Sequence, residues 1–186
     1  MANKVLQTKS LFISAGHSDS DPGAKGNGYT EADIVLELRD MIADELRDKV
    51  MFAKDGERGQ NLPLSDAWRT AEMHDVALEL HANSFSSPSA TGVETLSARK
   101  HYPLGEALCE AVADTLGIAN RGAKGESSGQ HSRLGFISRG GGIIVELFFI
   151  SNPDDVAAYY RHKTALAQAV ARVLIDHVAP PRNDGA

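Results

Sequence analysis

One cysteine, Cys109, is the whole thiol complement of this 186-residue chain. That scarcity excludes an intramolecular disulfide and any cysteine-rich zinc ribbon or finger, so a metal here has to be held by histidines and carboxylates. Long apolar runs are missing as well. The longest, Gly142 to Ile150, is interrupted by Glu146 and falls far short of the roughly 20 residues that a membrane helix needs, so integral membrane association is not expected. Nor is there an excess of positive charge. With 19 Lys and Arg against 25 Asp and Glu, the formal net charge is -6, which repels a polyphosphate and makes nucleic acid an unexpected partner. The polar N-terminus, with Lys4 and Lys9, is not followed by an apolar segment ending in a small-residue cleavage site. The expectation is synthesis in the cytoplasm without the usual export signal. No feature of the sequence sets the oligomeric state.

What is present is ordinary for a folded domain: 42% apolar and 24% charged residues. At roughly 100 to 200 residues per domain the length predicts a single one. We place it at residues 1–179 and expect a disordered tail at 180–186.

Apolar runs and amphipathic stretches alternate along the chain. Leu11 to Ala15 reads as a buried strand ending at Gly16-His17, and the loop that follows, Ser18 to Tyr29, carries Pro22, Gly23, Gly26 and Gly28 and is expected to lack regular structure. Thr30 with Asp33 three residues on makes a capping pattern, and apolar residues from Ile34 to Leu46 predict a helix over about 30 to 48. Strands are expected at Val50 to Ala53, at Val76 to Leu80 ending at His81, at Val93 to Leu96 and at Ile143 to Phe149. Helices are expected at Leu64 to Met73, from Leu104 to a stop at Gly117, and as a pair over about 153 to 160 and 163 to 178. The glycine-rich stretch from Asn120 to Gly142 reads as a long loop, with a short strand around Leu134, Phe136 and Ile137. Strands separated by helices predict an α/β fold, a mostly parallel or mixed twisted sheet flanked by helices.

In such sheets the site lies outside the carboxyl ends of the strands. His17 and His81 fall just past two such ends, Glu146 sits inside the late apolar strand, and Glu31, at the first turn of the first helix, could return to the same edge. Two imidazoles, one carboxylate and an open position suit a catalytic zinc, with a further carboxylate to move the proton of a water. Each residue also has a plainer reading. A histidine after a glycine is most often an ordinary loop residue, Glu31 is satisfied by the helix dipole, and Glu146 could face an exposed side of the sheet. Spacing alone ties the four together only weakly.

The same positions resemble a known family, the zinc-dependent N-acetylmuramoyl-L-alanine amidases of bacterial cell-wall hydrolases and phage endolysins. The shared blocks are Gly16-His17, Asp21-Pro22-Gly23-Ala24 with Glu31, His81-Ala82-Asn83 with Gly92-Val93-Glu94, Asn120-Arg121-Gly122, and Val145-Glu146 followed by Ser151-Asn152-Pro153. The resemblance implies that His17, Glu31 and His81 bind Zn2+ and that Glu146 is the general base and acid. It also implies that the substrate is peptidoglycan, cut between N-acetylmuramic acid and L-alanine. Asn83, Arg121 and His131 are candidate substrate contacts. The compact chain looks like a phage endolysin, made in the host cytoplasm and acting on the wall after release. The rivals are a bacterial amidase without its signal peptide and a module on the same scaffold that binds the wall without cutting it. The chain departs from the family at Ala67, where an arginine is common, and at Gly140-Gly141-Gly142, where a proline often precedes the catalytic strand.

Overall fold

A computed structural model describes residues 8–56, 59–128 and 133–179. Its main sheet consists of β1 (Leu11–Ala15), β4 (Phe52–Lys54), β5 (Val76–Asn83), β6 (Val93–Leu96), β7 (Asn120–Lys124) and β8 (Ile143–Phe149). A separate two-residue pair forms β2 (Lys25–Gly26) and β3 (Tyr29–Thr30). The α-helices are α1 (Glu31–Leu46), α2 (Leu64–Ala71), α3 (Tyr102–Leu116), α4 (Gly135–Ser138) and α5 (Pro153–Val178). Strand order is β4-β1-β5-β8-β6-β7. The first four strands of that order are parallel, β6 is antiparallel to β8, and β7 is parallel to β6. This is the mixed, mostly parallel sheet flanked by helices that the alternation of elements predicted. Among the described residues no helix is long and apolar enough to cross a membrane.

Alternation along the strands gives the sheet two unlike faces. Leu11, Ile13 and Ala15 of β1, Val76, Leu78, Leu80 and Ala82 of β5, and Ile143, Val145 and Leu147 of β8 pack with α1, α3 and α5 into the large core. The opposite face has a small core only, where Phe12, Ala77, Leu96 and Ile144 meet Ala67 and Ala71 of α2 and Phe136 and Ile137 of α4. Beyond that core the same face turns polar. His81, Glu146 and Glu94 lie directly opposite one another across β5, β8 and β6. Pairing then jumps from His81 with Glu146 to Asn83 with Phe149. The extra residue in β8 is a bulge, a feature that re-aims side chains beside sites.

Caps begin the two helices that matter most. The Thr30 hydroxyl oxygen accepts from the Asp33 N–H at 3.3 Å, as the capping pattern predicted. Asn152 Oδ1 accepts from the N–H groups of Asp154 and Asp155 at the start of α5, while its Nδ2 donates to the Ala90 carbonyl and ties the helix to the neighbouring loop.

Several boundaries differ from expectation, each for a physical reason. Asn27 and Gly28, with φ of 53° and 86°, close a hairpin between β2 and β3 inside a segment expected to be irregular. β5 continues through His81 to Asn83, because its last residues pair with β8. Asn120–Lys124 is a strand, not a loop, although its residues are polar: it is an edge strand held by pairing to β6. Phe136 and Ile137 belong to a helical turn, not to a short strand. Phe136 lies against the glycine run, where a Cβ on Gly142 would come within 2.3 Å of its ring. The segment expected to be two helices is one, since no glycine or proline interrupts residues 154–178. His131 and the tail at 180–186 lie outside the described residues.

Candidate metal centre

The first ligand candidate is aimed by an uncommon backbone. His17 follows β1 with φ of 67°, the left-handed region that a histidine enters at some cost. Asn61 Nδ2 lies 3.1 Å from the carbonyl of Ala15, 3.0 Å from that of Gly16 and 3.1 Å from that of His17, so one buried amide clamps the whole turn. Gly16 is required by proximity, because a Cβ there would come within 2.4 Å of the His81 ring. The same holds for Gly23, whose Cβ would sit 2.6 Å from His17 and 2.7 Å from Glu31. These two glycines of the first motif blocks therefore stand where the imidazoles need space.

Glu31, at the first turn of α1, lies between the two rings. Its Oε2 is 2.9 Å from His17 Nε2 and its Oε1 is 3.0 Å from His81 Nδ1. It also accepts from the backbone N–H groups of Ala24 and Ala82, each at 2.9 Å. Three ligand atoms, one each from His17, Glu31 and His81, lie within 4.8 Å of one another. Burial disfavours the Glu31 carboxylate, but the two imidazoles overcome it and hold the carboxyl far below its usual range. Burial likewise works against protonation of the rings. Glu31 and Asp21 nonetheless raise His17 above its usual value, and Glu31 and Glu79 raise His81 well above it. The electrostatics of the cluster thus favour positive charge beside Glu31.

Glu146 occupies the next place along the same row. Its Oε2 is buried and has no hydrogen-bond partner among the described residues. Burial pushes its carboxyl up to about 7; Glu31 and Glu94 add to the rise and His81 opposes it. Glu94, opposite Glu146, is differently placed: Arg121 Nε donates to its Oε2 at 2.6 Å and Lys124 Nζ at 2.7 Å. Those two cations outweigh burial and hold Glu94 below its usual value. A cleft of about 640 Å³ opens over the row, with Asn83, Phe85 and Arg121 among its lining residues.

Of the sequence-predicted residues, then, His17, Glu31 and His81 converge, and Glu146 stands beside them. Asn83 holds the turn after β5 by accepting from the Ser84 N–H at 2.8 Å. Arg121 makes an internal ion pair with Glu94 and lies over the Phe149 ring at 5.0 Å. Sequence reading did not single out Asn61 and Glu79. A lone asparagine in a polar loop carries no signal. For Glu79 there was one: Ala77, Glu79, His81 and Asn83 alternate with apolar residues and so share a face with a candidate ligand.

Comparison with known proteins identifies the family and the fold. The family described as N-acetylmuramoyl-L-alanine amidase matches residues 11–176. The N-acetylmuramoyl-L-alanine amidase LytC of Bacillus subtilis is 27% identical over 173 residues, covering 86% of this chain, which spans only 34% of LytC. A crystal structure from Neisseria meningitidis, assigned as an N-acetylmuramoyl-L-alanine amidase, superposes with a TM-score of 0.83 at 37% identity, covering 91% of this chain and 95% of that one. The catalytic domain of CwlV, an amidase of the same name from Bacillus (Paenibacillus) polymyxa, shares the fold with a TM-score of 0.77 at 22% identity, covering 91% and 97% of the two chains.

Proposed function

The chain belongs to the N-acetylmuramoyl-L-alanine amidase family, matched from residue 11 to 176, and from that premise we propose that it is a zinc-dependent hydrolase of peptidoglycan. The bond cut is the amide between the lactyl group of N-acetylmuramic acid and L-alanine. One observation carries the reading: His17, Glu31 and His81 converge beside Glu146, a carboxylate with a buried oxygen unpartnered among the described residues. Two imidazoles and one carboxylate fit zinc and leave a position open for water or substrate. Zinc held there supplies Lewis-acid polarisation of the scissile carbonyl and a water whose pKa falls to about 7.

Glu146 moves the proton. Its carboxylate accepts a proton from the attacking water as the new carbon–oxygen bond forms. The resulting carboxylic acid returns that proton to the alanine nitrogen as the carbon–nitrogen bond breaks, so the amine leaves neutral. In the metal-free site burial raises this carboxyl to about 7, and a zinc ion held beside it would favour the ionised form that accepts the proton from water. Asn83 shapes the cleft at the end of β5, and Arg121 contacts substrate from the far side of Glu94. A role as a phage endolysin adds the expectation that protein applied from outside lyses cells whose wall it can reach.

The test uses isolated walls. Purified protein should clear a wall suspension, a chelator should stop it, and added zinc should restore it. Clearing that persists after complete metal removal would remove the zinc reading. Binding to walls without any clearing would favour the non-catalytic module.

A further inference from the structure

Glu79 is a carboxylate where the fold supplies no obvious reason for one. It is only 1% exposed, and along its row across the sheet it pairs with Ser14 on one side and the core residue Ile144 on the other. Burying an ionised carboxylate costs several kcal/mol unless it is paired and hydrogen-bonded. Among the described residues its partner is His81, whose Nε2 lies 3.1 Å from Glu79 Oε2. The opposite ring nitrogen, Nδ1, faces Glu31 at 3.0 Å. His17 shows the same pattern with the nitrogens exchanged. Asp21 Oδ2 takes Nδ1 at 3.0 Å, and Nε2 faces Glu31 at 2.9 Å. Each imidazole of the centre therefore has a second carboxylate on the side away from the shared glutamate, one of them 64% exposed and the other buried.

We infer that Glu79 is a positioning residue for the metal: by accepting the Nε2–H of His81 it fixes the ring in the tautomer whose Nδ1 lone pair points toward Glu31 and His17, so that His81 ligates through Nδ1. The inference rests on the zinc reading given above and extends it to a residue that touches neither metal nor substrate. Carboxylates on the outer nitrogen of ligating histidines set ring orientation and raise ligand basicity, and their loss typically costs about 10- to 100-fold in metal affinity or activity. Glu79 belongs at the upper end because its hydrogen bond is shielded from water. Asp21, in solvent, belongs at the lower end.

The experiment measures zinc affinity by competition with a chromogenic chelator, with thermal unfolding of each variant as a control for folding. E79M, which keeps the volume but accepts no ring proton, should weaken zinc binding by about 10- to 100-fold. E79Q, whose amide oxygen still accepts the Nε2–H, should recover most of that loss, and D21N should change affinity by less than E79M. A long-range proton–nitrogen correlation spectrum of the zinc-loaded wild-type protein should show the His81 proton on Nε2. Failure of the wild type to bind zinc would overturn the functional reading and this inference with it. Tight wild-type binding together with unchanged affinity in E79M overturns the inference alone. So does E79Q as weak as E79M, which would mark Glu79 as a direct ligand, or a His81 proton found on Nδ1.

Discussion

The two faces of the sheet solve opposite problems with the same strands. On one face Leu80, Val145 and Leu147 are at most 1% exposed beneath α1, α3 and α5. On the other, the neighbouring residues His81 and Glu146 stand in a row with Glu94 over an open cleft. The period of 2 makes this possible, because successive residues of one strand point to opposite sides. Apolar burial on the first face supplies the stability that holds poorly solvated charge on the second. The row is itself graded. Glu31, between two imidazoles, and Glu94, between Arg121 and Lys124, have nitrogen partners that favour their ionised forms, whereas Glu146 has an oxygen with no partner among the described residues and a carboxyl near 7. That difference separates charges that hold position from the one suited to move a proton.

If the faces divide labour in this way, substitutions at adjacent residues should have unlike consequences. The largest effect is expected at His81. H81A removes a proposed ligand and should abolish both zinc binding and hydrolysis, measured by metal analysis and wall clearing; retained zinc at one per chain would contradict the ligand set. E146Q comes next. The amide cannot take a proton from water, so turnover should fall by about 10²- to 10⁴-fold while zinc content stays unchanged. Wild-type rates in zinc-loaded E146Q would place the base elsewhere.

One residue along, L147A deletes a fully buried side chain on the apolar face. It should cost about 2 to 5 kcal/mol of stability in urea unfolding, with kcat/KM changed only a few-fold where the protein remains folded. A larger loss of kcat/KM than of stability would break the separation of the faces. The smallest effect is a pH dependence of stability in chelator-treated protein. Glu146 rises from an ordinary 4.5 to about 7 on folding, which at about 1.4 kcal/mol per unit is on the order of 3 kcal/mol. A group raised in this direction is neutral and without penalty below the lower value, and its stabilisation is lost as pH climbs through the higher one. Metal-free wild type should therefore lose stability between pH 5 and 8 relative to E146Q. Parallel curves for the two proteins would show that Glu146 is not held in the way described.

Much of this was legible in the sequence where local chemistry dictates structure. Thr30 and Asp33 predicted the start of α1, Gly117 the end of α3, and the apolar runs at Leu11 to Ala15 and Ile143 to Phe149 are strands with those same limits. The legible part failed where structure depends on a distant partner. β7 is polar and glycine-containing, and only pairing with β6 makes it a strand. Phe136 lies in a helical turn with its ring packed against the glycine run before β8. In the site, His17, Glu31, His81 and Glu146 could be named because the motif blocks are distinctive. Their neighbours Asn61 and Glu79 differ in this respect: Asn61 acts across the fold, on the backbone of a turn 44 to 46 residues earlier, whereas Glu79 acts two residues along its own strand on the outer nitrogen of His81, where the alternation of β5 places it on the same face.

The central claim is that this row of side chains hydrolyses one particular amide, and the products of digestion test it most directly. Purified peptidoglycan treated with the zinc-loaded protein should release peptides bearing new L-alanine N-termini, with no new reducing sugar ends. Reducing ends as the main product would mean attack on a glycosidic bond, the chemistry of paired carboxylates. A new N-terminus other than L-alanine would mean an endopeptidase. Either result would contradict the account even if zinc and Glu146 behaved as expected.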